Sequence, residues 1–500
     1  MNFEKITPEQ AGVRSEALAR YIELINKRQI PLHSLLMMKG DKLFCEYYWA
    51  PYDKDTTHRM YSQTKSYVSI AIGLLCEEGK LKLTDRISDH FPDKIHSELP
   101  SYLKELTIRE MLTMTTATAT KYWFNEENKD RTELYFNTYH DNADVFPHPA
   151  GTLWEYDSAG SQVLSALVER LSGKTLFDYL NEKVFSKLGT FKTATILKTG
   201  NGDSWGDSAL VCTPRDMISV GMLLKDGGVY KGERILPRDY LDEATSKRVD
   251  NRTTIRRYAF RHGYGYQIWR TERNGFAFVG MGNQLTVMLP DDDIVFVCTA
   301  DCQGDEGTAR EYIINHFFEL IMDDISKSPI EGTVEGAKRL EAATENLELI
   351  ALQGLDDSPF RSVINGKTYK LAKNNMGITE LSFVFKDKTE GELRYKNAQG
   401  DKVIPFGVNK NVFGYFPELG YSNERGSLLT TDGFTYRDAV SLAWLEEKKL
   451  LMYVQVIDRY LGTLVMQFGF RDNEVYLIMT KCAENFLEEY NGRAIGRAEE

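Results

Sequence analysis

Apolar residues follow a helical spacing in several segments of the first 325 residues. Residues 62–79 form a nearly all-apolar run that ends at a glycine, which predicts a long buried helix. Residues 161–171 place apolar side chains at helical intervals, and residues 213–228 open with Thr-Pro and an aspartate, as capped helices do. Further helices are predicted at 106–116 and 308–325.

Strand-like runs lie between and after these helices. Residues 33–49 and 283–301 each predict a β-hairpin around a tight turn. Residues 326–349 are polar and predict a linker with a short helix, and residues 350–500 alternate short strands with turns. We therefore expect a first domain at 1–325 and an all-β accessory domain at 350–500, either a barrel or a sandwich.

Composition narrows the class of protein. The 500 residues carry 61 Lys and Arg against 73 Asp and Glu, a net charge of −12, which disfavours nucleic acid as a partner. Uninterrupted apolar runs are too short for a membrane span, and the N-terminus lacks the apolar stretch of a secretory signal. The six cysteines are scattered, so we expect a reducing cytoplasmic location, no structural metal and no cofactor.

Ser62 and Lys65 stand one helical turn apart, at the start of the apolar run. In a helix, residues i and i+3 share a face, and a helix N-terminus favours developing negative charge. A serine becomes nucleophilic only beside a base, and a buried lysine is one such base. The pattern S-x-x-K alone is common in long chains, so it needs support from its surroundings.

That support is a resemblance over residues 1 to about 325. The segments at 61–92, 106–118, 149–173, 206–228 and 263–301 resemble, in the same order, motif blocks of the serine β-lactamase and penicillin-binding-protein superfamily. They are most similar to its class C-like esterase, D-aminopeptidase and 6-aminohexanoate-dimer hydrolase branch. The resemblance implies an α/β (α+β) fold, an antiparallel sheet flanked by helices, with a helical lobe.

The resemblance also implies roles for individual residues. Ser62 would be the acylated nucleophile and Lys65 its base. Tyr156, in Y-D-S, takes the place of the family's Y-x-N tyrosine and would share proton transfer with Lys65. Ser158 stands where the family usually has Asn, which puts a contact to the substrate carbonyl in doubt.

The family's third motif, Lys or His followed by Thr or Ser and Gly, is altered here. A literal K-T-G occurs at 198–200, but it lies in a Gly- and Asp-rich loop before the block at 206–228, which is out of the family's order. Alignment on the hairpin at 283–301 instead places the motif at Phe278–Gly280. Met281 would then donate its backbone N–H to the oxyanion hole, together with the N–H of Ser62. Because Phe278 replaces the cation that would face a substrate carboxylate, we expect a preference for neutral or apolar acyl groups.

The predicted function is a serine hydrolase that cleaves an ester or amide bond of a small molecule or peptide. Two alternatives stay open: an acyltransferase that uses the same acyl-enzyme, and a catalytically silent binding protein of this fold. The aromatic segments at 121–124 and 134–140 either line the substrate cleft or pack in loops. His58 is expected to line the mouth of the site or to act as a cap, and not to take part in catalysis. Substrate identity, homo-oligomerisation and the role of the β domain are also open.

Overall fold

The computed structural model describes residues 2–116, 130–137, 148–252, 258–420, 435–483 and 490–499. The chain divides into two compact units between Glu348 and Leu349. No helix in the described ranges is long and apolar enough to cross a bilayer.

The first unit is built on a seven-stranded sheet with the order β1-β3-β2-β12-β11-β10-β9. Only the pairing of β1 with β3 is parallel. Two small sheets, β4-β6-β5 and β7-β8, accompany it. The strands of this unit are β1 (Glu4–Lys5), β2 (Leu32–Lys39), β3 (Lys42–Tyr48), β4 (His58–Arg59), β5 (Thr195–Ile196), β6 (Leu210–Cys212), β7 (Val229–Tyr230), β8 (Glu233–Arg234), β9 (Trp269–Arg270), β10 (Phe276–Gly280), β11 (Gln284–Leu289) and β12 (Ile294–Ala300).

The described residues of the first unit form twelve α-helices. They are α1 (Ser15–Lys27), α2 (Gln63–Glu77), α3 (Ser101–Lys104), α4 (Ile108–Leu112), α5 (Arg131–Asn137), α6 (Ser158–Ser172), α7 (Leu176–Leu180), α8 (Ser186–Leu188), α9 (Pro214–Lys225), α10 (Arg238–Ala244), α11 (Glu306–Phe317) and α12 (Val334–Thr344).

Two apolar clusters separate the helices from the sheet. One joins α2, α6 and α9 to one face, and the other joins α1 and α11 to the opposite face. Strand β10 shows the alternation: Phe276 and Phe278 belong to the first cluster, and Ala277 and Val279 belong to the second. The predicted fold of the first domain is therefore confirmed.

Helix α2 carries the predicted nucleophile and is buried over most of its length, from Gln63 to Leu75. It ends as the sequence predicts, since Gly79 adopts the left-handed conformation with φ of 69°. A helix buried all round is held by its neighbours on every side, so its first turn is a rigid mount for side chains.

The segment predicted as a linker, 326–349, contains α12. Arg339 Nε and Nη2 donate to the two carboxylate oxygens of Glu23 on α1, at 2.9 and 2.6 Å. Leu340 is buried in the second apolar cluster, and Leu347 O accepts a hydrogen bond from Ala50 N at 2.8 Å. These contacts place α12 within the first unit.

The second unit is a closed barrel, which confirms the all-β prediction and selects the barrel over the sandwich. Nine strands pair in the order β16-β15-β14-β13-β22-β21-β20-β19-β18, and a parallel pairing of β16 with β18 closes the ring, while β17 pairs with β18. The elements are α13 (Arg361–Ile364), β13 (Thr368–Leu371), β14 (Glu380–Phe385), β15 (Glu390–Asn397), β16 (Gly400–Val408), β17 (Val412–Leu419), β18 (Thr435–Glu446), β19 (Lys449–Ile457), β20 (Leu461–Arg471), β21 (Glu474–Ala483) and β22 (Gly492–Ala498).

Candidate active site

The chain reaches α2 through a short strand and a sharp turn. Strand β4 pairs with β6, and Met60 N donates to Leu210 O at 2.7 Å. Tyr61 then adopts φ of 47°, a conformation that costs a bulky residue energy and persists only where its surroundings enforce it. This turn sets Ser62 at the N-cap of α2.

Lys65 points back at the serine from the first turn of the same helix. Its Nζ donates to Ser62 Oγ at 3.1 Å and to the backbone carbonyl of Asp207 at 2.7 Å. The Asp207 carboxylate lies 3.9 Å from the same Nζ, and the Lys65 and Asp207 side chains are only 2% and 0% exposed. The amine is thus buried and aimed at the hydroxyl by two hydrogen bonds.

Tyr156 lies beside the amine. Lys65 Nζ is 5.2 Å from the centroid of its ring, and the ring stacks on Trp269 with centroids 5.8 Å apart and an interplanar angle of 23°. Trp269 is itself held edge-on by Trp154 and Tyr264, at 5.7 and 5.0 Å. A cluster of aromatic rings therefore packs against one face of the Tyr156 ring. The structure brings Ser62, Lys65 and Tyr156 together.

Asp157 follows Tyr156 and caps helix α6. Its carboxylate accepts hydrogen bonds from Gly160 N at 3.0 Å and from Thr116 Oγ1 at 2.9 Å. Burial raises the pKa of Asp157 to about 6, while these hydrogen bonds and the charge of Lys65 oppose that rise. Ser158, which stands where the family usually has Asn, is the first residue of α6 and is half-buried.

Strand β10 runs close to the segment that leads into Ser62. A Cβ on Gly280 would lie 2.1 Å from Met60 O, so only glycine permits this approach. Met281 follows in a single turn of 3₁₀ helix, where Gln284 Nε2 donates to its carbonyl at 3.1 Å. Phe278 is fully buried and packs edge-on against Tyr67 of α2 at 5.6 Å. It is the one predicted substrate-binding residue that the structure places in the core.

The remaining sequence candidates lie away from this constellation. Lys198 is exposed and lies in a turn after β5, outside the large sheet. The aromatic segment 121–124 and residues 138–140 lie outside the described residues. Tyr135 and Phe136, on α5, are buried in the first apolar cluster and therefore pack in the core.

Two features escaped the sequence analysis. Asp207 lies in the segment 206–228, which resembles one of the family's motif blocks, but nothing in its local pattern links it to Lys65. His58 is not at the mouth of the site: it is buried, and its Nε2 lies 3.0 Å from Nδ1 of His33, another buried histidine. Both residues would have to be found by contacts across the fold.

The described part of the chain contains neither a candidate metal site nor a disulfide. No group of three or more His, Cys, Asp or Glu side chains there could hold a metal ion. All six cysteines are free thiols, four of them buried.

Comparisons with known proteins place the chain in a family. A family model described as Beta-lactamase matches residues 18–316, more than half of the chain. The 6-aminohexanoate-dimer hydrolase of Paenarthrobacter ureafaciens is 26% identical over 313 residues, which are 58% of this chain and 78% of that protein. Protein flp of Staphylococcus aureus (strain MRSA252) is 24% identical over 199 residues, only 37% of this chain and 38% of that protein.

Among solved structures, EstCE1, titled a hydrolase with promiscuous acyltransferase activity, superposes with a TM-score of 0.50 at 16% identity. The alignment covers 61% of this chain and 99% of that one. At this level of identity the similarity shows a shared fold and nothing further. The family match and the order of the motifs show that this chain belongs to the Beta-lactamase family, within the serine β-lactamase and penicillin-binding-protein superfamily.

Proposed function

We propose that the first unit is a serine hydrolase that forms an acyl-enzyme on Ser62 and cleaves an ester or amide bond. The observation that carries the proposal is the 3.1 Å contact between the buried Lys65 amine and Ser62 Oγ. The family match and the hydrolase relative support the same class of reaction.

In the first step, Ser62 Oγ attacks the carbonyl carbon of the substrate and its proton passes to Lys65 Nζ. The electron pair of the carbonyl moves to its oxygen and gives a tetrahedral oxyanion. The leaving alcohol or amine then takes a proton, delivered through Tyr156 from Lys65, as it departs from the acyl-enzyme. Water then attacks the acyl carbon and gives a proton to the Tyr156–Lys65 pair. The bond to Ser62 Oγ breaks, the acid is released, and Ser62 regains its proton.

The oxyanion would lie between two backbone N–H groups, those of Ser62 and Met281. The close approach of Gly280 to Met60 supports this pairing, because it draws the end of β10 against the turn before the nucleophile. Backbone donors held in this way stabilise the intermediate without reorganising during the reaction. Each such donor contributes roughly a hundredfold to a thousandfold in rate.

The altered third motif supports a substrate class. Position 278, where the family has the cation that faces a substrate carboxylate, holds a phenylalanine whose ring is buried against Tyr67, so this position presents no charge to a substrate. We therefore propose neutral or apolar acyl groups, in small esters or amides, as substrates. Kinetics with p-nitrophenyl butyrate and with a cephalosporin test this proposal: kcat/KM for the ester should exceed that for the cephalosporin at least tenfold, and equal values would refute it.

The activated serine is tested by intact-protein mass after exposure to a fluorophosphonate probe. We expect one adduct on the native chain, none at this position in Ser62→Ala, and labelling slowed by at least a hundredfold in Lys65→Ala. Ser69→Ala is the matched control, because Ser69 lies on the same helix with its Oγ against Tyr240 Oη at 2.9 Å. Failure of the native chain to label would favour a silent binding protein.

A further inference from the structure

The carboxylate of Asp207 is a buried charge beside the amine of Lys65 that the mechanism above does not use. Its Oδ2 lies 3.9 Å from Nζ and accepts a hydrogen bond from Ser208 Oγ at 2.5 Å. Its Oδ1 accepts no hydrogen bond from the described residues, and Arg131 Nη1 lies 4.0 Å away. Burying a carboxylate is costly unless nearby charges compensate it, so this position calls for an explanation.

Cations face Asp207 from more than one element. Lys65 approaches from α2 and Arg131 from α5. The Arg131 guanidinium lies 4.8 Å from the centroid of the Trp205 ring, and the Arg59 guanidinium lies 4.3 Å from it. Arg59 Nε also donates to the Ser208 carbonyl at 2.9 Å. The Lys65 amine and the Arg131 guanidinium therefore face one buried carboxylate, and the Arg59 guanidinium lies against the same Trp205 ring as Arg131.

Holding the amine in place does not require this carboxylate. Lys65 Nζ donates its 2.7 Å hydrogen bond to the backbone carbonyl of Asp207, and any residue at this position would supply that acceptor. What the side chain adds is a negative charge about one ion-pair distance from Nζ. A nearby opposite charge favours the charged form of an amine, and in a buried site its effect is larger than at the surface.

We propose that Asp207 is a positioning residue that acts through Lys65, as the counter-ion of the ammonium formed when Ser62 gives up its proton. This inference rests on the proposed function. In the acylation step the Ser62 proton moves to Nζ, the Oγ–carbon bond forms, and the carbonyl electron pair moves to the oxyanion. Asp207 exchanges no proton in this step, and its carboxylate stabilises the positive charge that appears on Nζ 3.9 Å away.

Removal of the Asp207 charge should shift the pH dependence of acylation in one direction. A negative charge 3.9 Å away also favours the protonated form of an amine before the reaction, so its removal should allow acylation at lower pH. In Asp207→Asn, the pH below which acylation fails should therefore fall by about 1 pH unit. At high pH the same variant should acylate roughly tenfold more slowly, because its base is weaker and its ammonium lacks a counter-ion. A loss of packing alone would slow acylation by one factor at every pH.

The test measures the second-order rate constant of Ser62 labelling by a fluorophosphonate between pH 5 and 9 in the full chain. Asp207→Asn keeps the size of the side chain and an acceptor for Ser208. Ser208→Ala removes that hydrogen bond but leaves the charge, so its acid limb should stay at the wild-type pH. Asp203→Asn is the control, since Asp203 lies in the same loop and accepts from the exposed Asn201 side chain at 2.7 Å.

A shifted acid limb in Asp207→Asn, absent in Ser208→Ala and Asp203→Asn, would support the proposal. An Asp207→Asn profile parallel to wild type, at any level of activity, would overturn it and leave the proposed function standing. If Asp207→Asn does not fold, a shift of the acid limb in Ser208→Ala as large as 1 pH unit would overturn it instead, because the charge is retained there. Absence of labelling in the wild-type chain would remove the proposed function and this inference together.

Discussion

Gly280 lacks a side chain at the point where β10 comes closest to the turn before the nucleophile. A Cβ there would lie 2.1 Å from Met60 O, so Gly280→Ala must push the strand and the turn apart. We expect Ser62 labelling to slow at least tenfold and stability to fall by about 1–3 kcal/mol, as in other overpacked sites. Gly469→Ala is the control, because a Cβ on that strand glycine meets no atom within 4 Å. Labelling at the native rate would contradict this placement of β10.

Trp269 supports the ring of Tyr156 through a stacked contact at 5.8 Å. In Trp269→Leu the apolar bulk is partly kept but the stack is lost, so the phenol should hold its position less well. We expect kcat for p-nitrophenyl butyrate to fall roughly tenfold with a smaller change in KM, since positioning acts on the reacting groups. Trp269→Phe should recover most of kcat. A loss of thermal stability with unchanged kcat would show that Trp269 serves only the core.

The residues of the site differ in how far sequence reasoning reached them. Ser62 and Lys65 were predicted together because a helix brings i and i+3 to one face, a local rule. Tyr156 has no such pattern and was chosen only through the family resemblance. Asp207, 142 residues after Lys65, and Trp269 meet the site through tertiary contacts that no local spacing encodes. The third motif was placed beside Ser62, but its alignment did not reveal that the Phe278 side chain lies in the core.

Elements with a strong internal pattern were predicted well. Both hairpins exist, as β2–β3 and β11–β12, because their turns carry residues suited to positive φ: Gly40 at 62° and Asp293 at 60°. What joins the hairpins is a long-range pairing of β2 with β12, which depends on both partners and on the helices that cover them. Hydrophobic periodicity describes one element at a time, so such neighbours lie beyond it.

The His33–His58 pair connects strand β2 to strand β4, which precedes the turn into α2. The two imidazoles lie 3.0 Å apart, and the Tyr52 ring stacks on His33 at 4.0 Å. Burial lowers the pKa of His58 to about 4 and that of His33 well below its ordinary value, with a further contribution from His58. Both rings are therefore neutral in the folded protein at pH 7.

This pair makes stability depend on pH in a defined window. Between pH 6.5 and about 4 the unfolded chain binds a proton at His58 and the folded chain does not, so stability is lost as the pH falls through this range. The full loss for a change of this size is about 3 kcal/mol. Urea unfolding at several pH values should show a steeper decline in wild type than in His58→Gln. Parallel curves would mean that His58 titrates normally in the folded state.

At the scale of the whole molecule, the all-β character of the second unit was predictable but its closure into a barrel was not. Alternating burial along β14 and β15 follows the sequence pattern residue by residue. Whether such strands form a barrel or a sandwich depends on one pairing, that of Gly407 and Val408 on β16 with Ser441 and Leu442 on β18. The partners are 34 residues apart in the chain, and no turn between adjacent strands sets their register.

The end of the first unit is equally a matter of tertiary contacts. Sequence composition marked residues 326–349 as a linker, yet α12 packs on α1, and the compact unit extends to Glu348. Leu340 and Leu347 are both buried in the second apolar cluster. A chain cut near residue 330 would expose the surface of α1 that these residues cover.

Two truncated chains test this boundary, one ending at Glu348 and one ending at Ser328. Burial of a leucine side chain contributes about 1.5–3 kcal/mol, so removing Leu340 and Leu347 should destabilise the shorter chain by about 3–6 kcal/mol. We expect the longer chain to unfold cooperatively and at the higher temperature in differential scanning calorimetry. Leu340→Ala in the longer chain should lower its unfolding temperature part of the way towards that of the shorter chain. This variant deletes one of the two buried side chains and leaves the helix in place. Equal unfolding temperatures for the two truncations would place the boundary of the unit before α12, since the helix would then contribute nothing to the stability of the residues it covers.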